Sequence, residues 1–265
     1  MFTVLDIVQP QSIKEAYEIL IKRKSNTVIG GSAYLRLGCK KIGTAIELSK
    51  LNLNYIKEDE NCIEIGAMTT FRDIEISTIL NRNFNGVLSK CVRDIIGVQF
   101  RNVVTVGASV FSKYGFSDLL TALLSLDTEV ELYNGGRMTL EEFLEKPYEK
   151  DILTKVYIKK NNRKSVYASM RNSASDYAIL NVSVSKIDSN WKIVLGARPR
   201  RASVAINACE FISSEEISDE TIEETAQIAC EELTFGSNMR ASENYRKVIS
   251  KALIKRAIVE VLQCK

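Results

Sequence analysis

The spacing of apolar and polar positions divides the chain into helices and strands in mixed order. Ile13, Ala16, Tyr17, Leu20 and Ile21 form one apolar stripe at helical spacing, and Ser12 with Glu15 makes a capping-box start. The first element is therefore predicted to be a helix. Thr27-Val28-Ile29 reads as a short strand that runs into Gly30-Gly31-Ser32, and Ile46-Glu47-Leu48 reads as another. Residues 62–65 alternate as a half-exposed strand does. Thr69 or Thr70 caps a helix carrying Ile74 and Leu80, and a further helix covers about 87–96 and ends near Gly97. The β-branched run Val103-Val104-Thr105-Val106 ends in the small residues Gly107-Ala108-Ser109. Ser117 caps a helix bearing Leu119, Leu120, Leu123 and Leu124. Residues 129–133 alternate, and Asn134-Gly135-Gly136 turns the chain into Arg137-Met138-Thr139-Leu140 as a hairpin.

The character changes near Pro147. Strands are predicted over 153–158, 166–170, 178–184 and 191–195, with Asp188-Ser189-Asn190 turning between the last two. Helices follow over about 218–233 and after Ser242, the last carrying Tyr245, Val248, Ile249, Ala252, Leu253 and Ala257 on one face. The pattern predicts an α/β (α+β) chain: an α/β region over 1–150, then a small antiparallel sheet with helices over 151–265.

Composition narrows the function. The 265 residues carry a net charge of +3, with acids and bases mixed throughout, so no basic footprint for nucleic acid is expected. No apolar run is long enough to cross a bilayer, and the first residues lack the charged-then-apolar pattern of a secretory signal. A cytoplasmic protein is expected. The absence of histidine removes His-based triads, His metal ligands and a flavin tethered through His. Cys39, Cys62, Cys91, Cys209, Cys230 and Cys264 are too scattered for a cluster-binding run. Redox chemistry here would need an organic cofactor.

Two small-residue segments are candidates to hold one. Gly30-Gly31-Ser32-Ala33 follows a strand, and successive N–H groups in such a loop can surround a phosphate. Thr105-Val106-Gly107-Ala108-Ser109 repeats that composition after a β-branched run. One such loop is ordinarily a turn, whereas two suit a long anionic ligand such as a dinucleotide. Neither fits the Rossmann fingerprint. Asp118 serves either as favourable charge at a helix start or as an acceptor for a flavin hydroxyl or ring N–H.

Several segments resemble, in order, those of the FAD subunits of molybdenum hydroxylases, the family of xanthine and carbon monoxide dehydrogenases. Val28-Ile29-Gly30-Gly31-Ser32 is similar to the first FAD loop, A-G-G-x-S/T, and Ile65-Gly66-Ala67-Met68-Thr69-Thr70 to I-G-A-x-T-T/S. Residues 99–109 resemble Q-x-R-N-x-x-T-x-G-G-N/S/D, and the segment from Ser117-Asp118-Leu119-Leu120 to Asp127 resembles a-D-L-x-P-A-L-L-A-L-D-A. Arg240-Ala241-Ser242-Glu243-Asn244-Tyr245-Arg246 resembles R-A-S-x-x-Y/F-R. The resemblance covers nearly the whole chain. It implies a two-subdomain FAD-binding fold of the vanillyl-alcohol-oxidase/MurB-like type, followed by the small sheet with helices. It also implies non-covalent FAD, with molybdopterin on a large partner subunit and a [2Fe–2S] cluster on a small one. Electrons would pass from that cluster through FAD to NAD or another acceptor. Ile29, Gly30, Gly31, Ser32 and Ala33 would meet the FAD pyrophosphate or ribityl chain, and Thr105, Gly107, Ala108 and Ser109 would do so from the other side. Asp118 would contact the flavin, Ile95 would lie near the ring face and Leu153 near the adenine end.

Departures from the pattern are also visible. Ala108 replaces a second Gly, so its Cβ is expected to crowd the phosphates. Lys113-Tyr114-Gly115 stands where a small residue, Ser and Pro are usual. Where the family often has a Lys near the cofactor, the candidates are Tyr167, Ser169 and Arg171. Two other classes stay open: a cofactor-free assembly subunit, and a stand-alone flavin reductase of related fold.

Overall fold

The computed structural model describes residues 2–264. The chain opens with β1 (Thr3–Val8), α1 (Ile13–Lys22), β2 (Thr27–Ile29), β3 (Lys41–Glu47), β4 (Ile56–Glu58) and β5 (Cys62–Gly66). Short helices follow: α2 (Phe71–Ile76), α3 (Thr78–Arg82), α4 (Val87–Arg93), α5 (Val98–Arg101), α6 (Val106–Phe111) and α7 (Asp118–Leu124). Then come β6 (Thr128–Leu132), β7 (Gly136–Thr139), α8 (Leu140–Glu145), β8 (Leu153–Lys159), β9 (Lys164–Arg171), β10 (Ala178–Ile187), β11 (Asn190–Gly196) and β12 (Ser203–Val204). Three helices close the chain: α9 (Ile206–Ser214), α10 (Asp219–Glu232) and α11 (Glu243–Gln263).

The chain forms two compact units, and both are discontinuous in sequence. The first takes residues 1–73, 98–112 and 128–159, and the second takes 74–97, 113–127 and 160–265. The first unit holds two sheets. One is parallel, in the order β1-β3-β2, and α1 buries Ala16 and Leu20 with Ile46 and Leu48 of its β3 side. Ser12 caps α1 by accepting from the Glu15 N–H (3.1 Å), and the Glu15 carboxylate takes the Gln11 N–H (2.8 Å) rather than that of the cap residue. At the other end of α1, the Lys150 ammonium donates to the carbonyls of Leu20 (3.0 Å), Arg23 (2.6 Å) and Asn26 (3.0 Å). The second sheet is antiparallel, in the order β4-β5-β8-β6-β7. The Asn134–Gly136 hairpin forms as the sequence predicts, and Asp151 fixes it by accepting from the N–H groups of Asn134 (3.0 Å) and Gly135 (2.8 Å).

The second unit is built on an antiparallel sheet, β12-β11-β10-β9. Its central strand, β10, reads Leu180-Asn181-Val182-Ser183-Val184-Ser185, and every one of these residues is 0 % exposed. Strand geometry explains the alternation, because successive side chains face opposite sides. Leu180, Val182 and Val184 join the apolar core with Trp191, Ile193 and residues of α9, α10 and α11. Asn181, Ser183 and Ser185 bond to Thr121 and Ser125 of the α7 segment, so the polar face is buried too.

Some elements differ from the sequence reading. β1 precedes the expected first helix, and its side chains are mostly exposed, so no half-buried contrast marks it. One helix through Ile74 and Leu80 is in fact two, α2 and α3, with Ser77 capping the second. The helix expected to reach position 96 stops at Arg93. The β-branched run 103–106 follows helix α5 as a turn, with Thr105 as the cap of α6 and Val106 as its first residue. β8, read with the C-terminal strands, instead pairs with β5 and β6. The sequence reading assigned no element to β4, α8, β12 and α9, although α8 opens on a capping box of Thr139 and Glu142 that precedes the apolar Phe143 and Leu144.

Candidate functional site

In the first unit, β2 ends in a tight turn. The Ser32 N–H donates to the Gly30 carbonyl (2.7 Å) across Gly31, which lies at φ +58°, and Ser32 follows at φ +52°. This left-handed pair is accessible to Gly at little cost and is strained for Ser. The glycines also have a packing reason. A β-carbon on Gly31 would stand 1.6 Å from the Val103 carbonyl oxygen, and one on Gly30 would stand 2.6 Å from the Thr105 Oγ1. The first segment therefore packs against the Val103–Val104 backbone and the Thr105 and Ala108 side chains. Among the described residues, the N–H groups of Gly31 and Ala33 meet no acceptor.

The second segment behaves differently. Val106 and Gly107 donate to the carbonyls of Thr69 (2.9 Å) and Ala67 (2.8 Å), Ala108 donates to the Thr105 hydroxyl (3.3 Å), and Ser109 donates to the Thr105 carbonyl (3.0 Å). Four successive donors that the sequence offered to a phosphate are thus engaged within the chain. Gly107 is small because Ala67 is close: an added Cβ would stand 2.8 Å from both the Ala67 Cβ and its carbonyl oxygen. Ala108 lies in the first turn of α6, and its Cβ is 3.4 Å from where a Gly30 Cβ would be. Its methyl group therefore fills space beside Gly30.

The second unit places Asp118, Tyr167 and Arg171 together and adds Asn181, which the sequence reading did not single out. Asp118 is the first residue of α7, after the Ser117 cap, and its side chain is fully buried. Its Oδ1 accepts from the Tyr167 hydroxyl, from the Arg171 Nη2 (3.2 Å) and from the Asn181 Nδ2 (3.0 Å). Its Oδ2 is buried and has no partner, and neither has the Arg171 Nε. Burial pushes the Asp118 carboxyl upward from the ordinary carboxylate range, against the pull of Arg171 and the three hydrogen bonds. Arg171 is fixed further by donating from Nη1 to the Asp176 carbonyl.

Ile95 is buried just after α4, its N–H bonded to the Val92 carbonyl (3.1 Å). Leu153 opens β8, buried and paired with Leu132. Ile29 ends β2 opposite Glu47. Tyr114 and Phe116 stack on each other at 5.0 Å, and Phe116 meets Tyr177 edge-on, so these aromatics are occupied in packing.

A dinucleotide with a flavin asks for donors at its pyrophosphate and for acceptors at its hydroxyls or ring N–H. The Gly31 and Ala33 N–H groups, in the first unit, are donors of the first kind, whereas Asp118 Oδ2, in the second unit, is an acceptor closed off within the protein. Residues 2–160 match the family described as the FAD binding domain in molybdopterin dehydrogenase, and residues 165–261 match the CO dehydrogenase flavoprotein C-terminal domain. The glyceraldehyde dehydrogenase medium chain of Sulfolobus acidocaldarius is 25% identical over 96% of this chain and 97% of that one. The nicotine 6-hydroxylase medium subunit of Paenarthrobacter nicotinovorans is 25% identical over 95% of each. Among solved structures, a carbon monoxide dehydrogenase chain from Hydrogenophaga pseudoflava superposes with a TM-score of 0.89 at 19% identity, covering 97% of each chain.

Proposed function

This chain belongs to the family of FAD-binding subunits of molybdopterin dehydrogenases, and from that premise we propose that it carries FAD between a [2Fe–2S] small subunit and NAD or another acceptor. A molybdopterin-binding large subunit completes the proposed complex. When bound, FAD supplies the exchange between single electrons and an electron pair. The chain's own residues bind and orient it.

The observation that carries this reading is the turn after β2. It presents two N–H donors without an acceptor, on a backbone whose left-handed glycine is held by the neighbouring segment. In the proposed division of roles, Ile29, Gly30, Gly31, Ser32 and Ala33 meet the pyrophosphate. Thr105, Gly107, Ala108 and Ser109 hold that turn in place and border the ligand. Ile95 and Leu153 supply apolar contacts to the ring and the adenine. Asp118, with Tyr167 and Arg171, serves the flavin half. Residues 1–150 thus supply the loops, and Leu153, Tyr167 and Arg171 contribute from 151–265. The site holds FAD without a covalent bond, a reading supported by the absence of histidine.

Among the described residues no helix is long and apolar enough to cross a membrane. A cytoplasmic setting is part of the proposal, and the six free cysteines support it.

The deciding experiment is FAD titration of the purified chain, followed by acid precipitation. Saturable binding with flavin released to the supernatant is expected. A chain that refuses FAD would be the cofactor-free assembly subunit instead. Turnover of NADH by the isolated chain with a small-molecule acceptor would favour the stand-alone reductase.

A further inference from the structure

α11 is apolar on two opposite faces. At about 100° per residue, Arg246, Leu253, Ile254, Ala257, Ile258 and Val261 share one face. All six are buried, and the helix packs on β9, β10 and α10. Tyr245, Val248, Ala252, Lys255, Val259 and Leu262 fall on the opposite face. Their three-and-four spacing repeats every seven residues, as in the seam of a helix that packs along another helix. Tyr245 is 45 % exposed, Val248 69 %, Val259 42 % and Leu262 41 %, and Ala252 is exposed with them. Scattered apolar residues are ordinary on a surface, but these lie in one stripe about 26 Å long.

The middle of the seam is basic. Lys255 pairs with Glu223 of α10 (2.5 Å), so its charge is met and its apolar stem can lie along the seam. Lys251, on one flank, donates to the neutral Gln227 Oε1. Arg256, exposed on the other flank, has no hydrogen-bond or ion-pair partner among the described residues. Two uncompensated cations therefore border the centre. They argue against a second copy of this chain as the occupant. In a parallel pair Lys251 would face the Arg256 of the copy. In an antiparallel pair centred on the seam each would face its own counterpart.

We propose that the exposed seam of α11 docks an amphipathic helix of a different polypeptide. That helix carries apolar residues at the same seven-residue repeat and carboxylates at its middle, which meet Lys251 and Arg256 and fix its register. No seam residue belongs to the proposed cofactor site, so the inference stands apart from the FAD-binding reading.

The test is photocrosslinking with the full chain expressed in its native host. One variant carries p-benzoylphenylalanine in place of Val248 and another in place of Val259, about three turns further along α11. Both should crosslink to one segment of one other polypeptide, at sites about three turns apart with Asp or Glu between them. Arg256→Glu should lower both crosslink yields roughly tenfold, and Arg256→Lys should restore them. These positions are exposed, so thermal unfolding of each variant should match wild type. Crosslinks between two copies of this chain, crosslinks to segments without a carboxylate between the sites, or no peptide crosslinks overturn the inference. Co-flotation of wild type with phosphatidylserine vesicles that Val248→Asp abolishes would also overturn it, in favour of a lipid surface. Undiminished crosslinking by a folded Arg256→Glu chain overturns the charge match.

Discussion

Gly31 combines two constraints that usually occur apart. Its φ of +58° strains any residue with a β-carbon, and that carbon would also meet the Val103 carbonyl. Gly136 provides an internal reference: it has φ +71°, with nothing within 4 Å of an added Cβ. Gly136→Ala should cost about 1–3 kcal/mol in urea unfolding, the backbone part alone. Gly31→Ala should cost about 1–3 kcal/mol from the backbone and more from the displaced Val103. It should also weaken FAD binding, because the free N–H groups move with the turn. Equal losses for the two variants would contradict this geometry. The sequence suggested that glycine here simply admits a ligand. The structure shows that the close approach is to the chain itself, which a single sequence cannot display. Asp118 offers a second test at this scale. Its carboxyl is raised by burial, so the flavin-free folded chain holds that proton to higher pH than the unfolded chain does. The associated stability is complete below the ordinary carboxylate range and is lost as pH rises through the raised value. Asp118→Asn cannot titrate. Its stability relative to wild type should therefore grow from acidic toward neutral pH, and an offset independent of pH would refute the raised carboxyl.

At the scale of elements, periodicity was a good guide where one face is wet and a poor one elsewhere. α1, the 134–136 hairpin and α10 are legible because a cap or turn residue is followed by the expected element. α11 starts where its Ser242 cap predicts, but its buried face is not the one read from the sequence, since Tyr245 and Val248 are exposed while Arg246, Ser250, Ile254 and Ile258 are buried beside Leu253 and Ala257. β10 alternates apolar and polar as an exposed strand would, yet both faces are buried, because α7 brings Thr121 and Ser125 to its serines and asparagine. Nothing in the strand itself announces that partner. For the same reason Asn181 escaped notice as a candidate. β1, with Leu5 and Ile7 exposed, lacks the contrast on which strand recognition depends. The segment 240–246 was legible only by resemblance, and its physics now explains it. Arg246 is 1 % exposed and donates to the carbonyls of Ile179 (3.0 Å), Gly236 (2.6 Å) and Ala241 (2.7 Å) and to the Asn238 Oδ1 (2.8 Å). It ties the start of α11 to β10. Arg246→Met keeps the apolar stem and strands four acceptors, so a loss of about 3–5 kcal/mol is expected in urea unfolding. A loss under 1 kcal/mol would mean that water replaces the guanidinium without consequence.

For the molecule as a whole, the interleaving of its two units carries a consequence for how cofactor loss should be measured. Residues 98–112 and 113–127 are adjacent in sequence yet belong to different units, so a cut at one point in the sequence would not yield either unit intact. The full chain is therefore the right object for a binding measurement, and FAD should act on its stability by mass action. A ligand that binds only the folded state at a hundred times its dissociation constant adds about 2.7 kcal/mol. For a chain of this size each kcal/mol moves the unfolding midpoint by about 2–4 °C, so saturating FAD should raise it by roughly 5–11 °C. ADP at the same multiple of its own dissociation constant should raise it equally, because the linkage depends on occupancy and not on which contacts supply it. At equal free concentrations FAD should give the larger shift, by the margin that the flavin half adds to affinity. Gly31→Ala should start from a lower midpoint and need more FAD to reach the same increment. A chain whose midpoint ignores FAD up to its solubility limit has no folded-state site for it. The donors after β2 would then be ordinary surface groups satisfied by water.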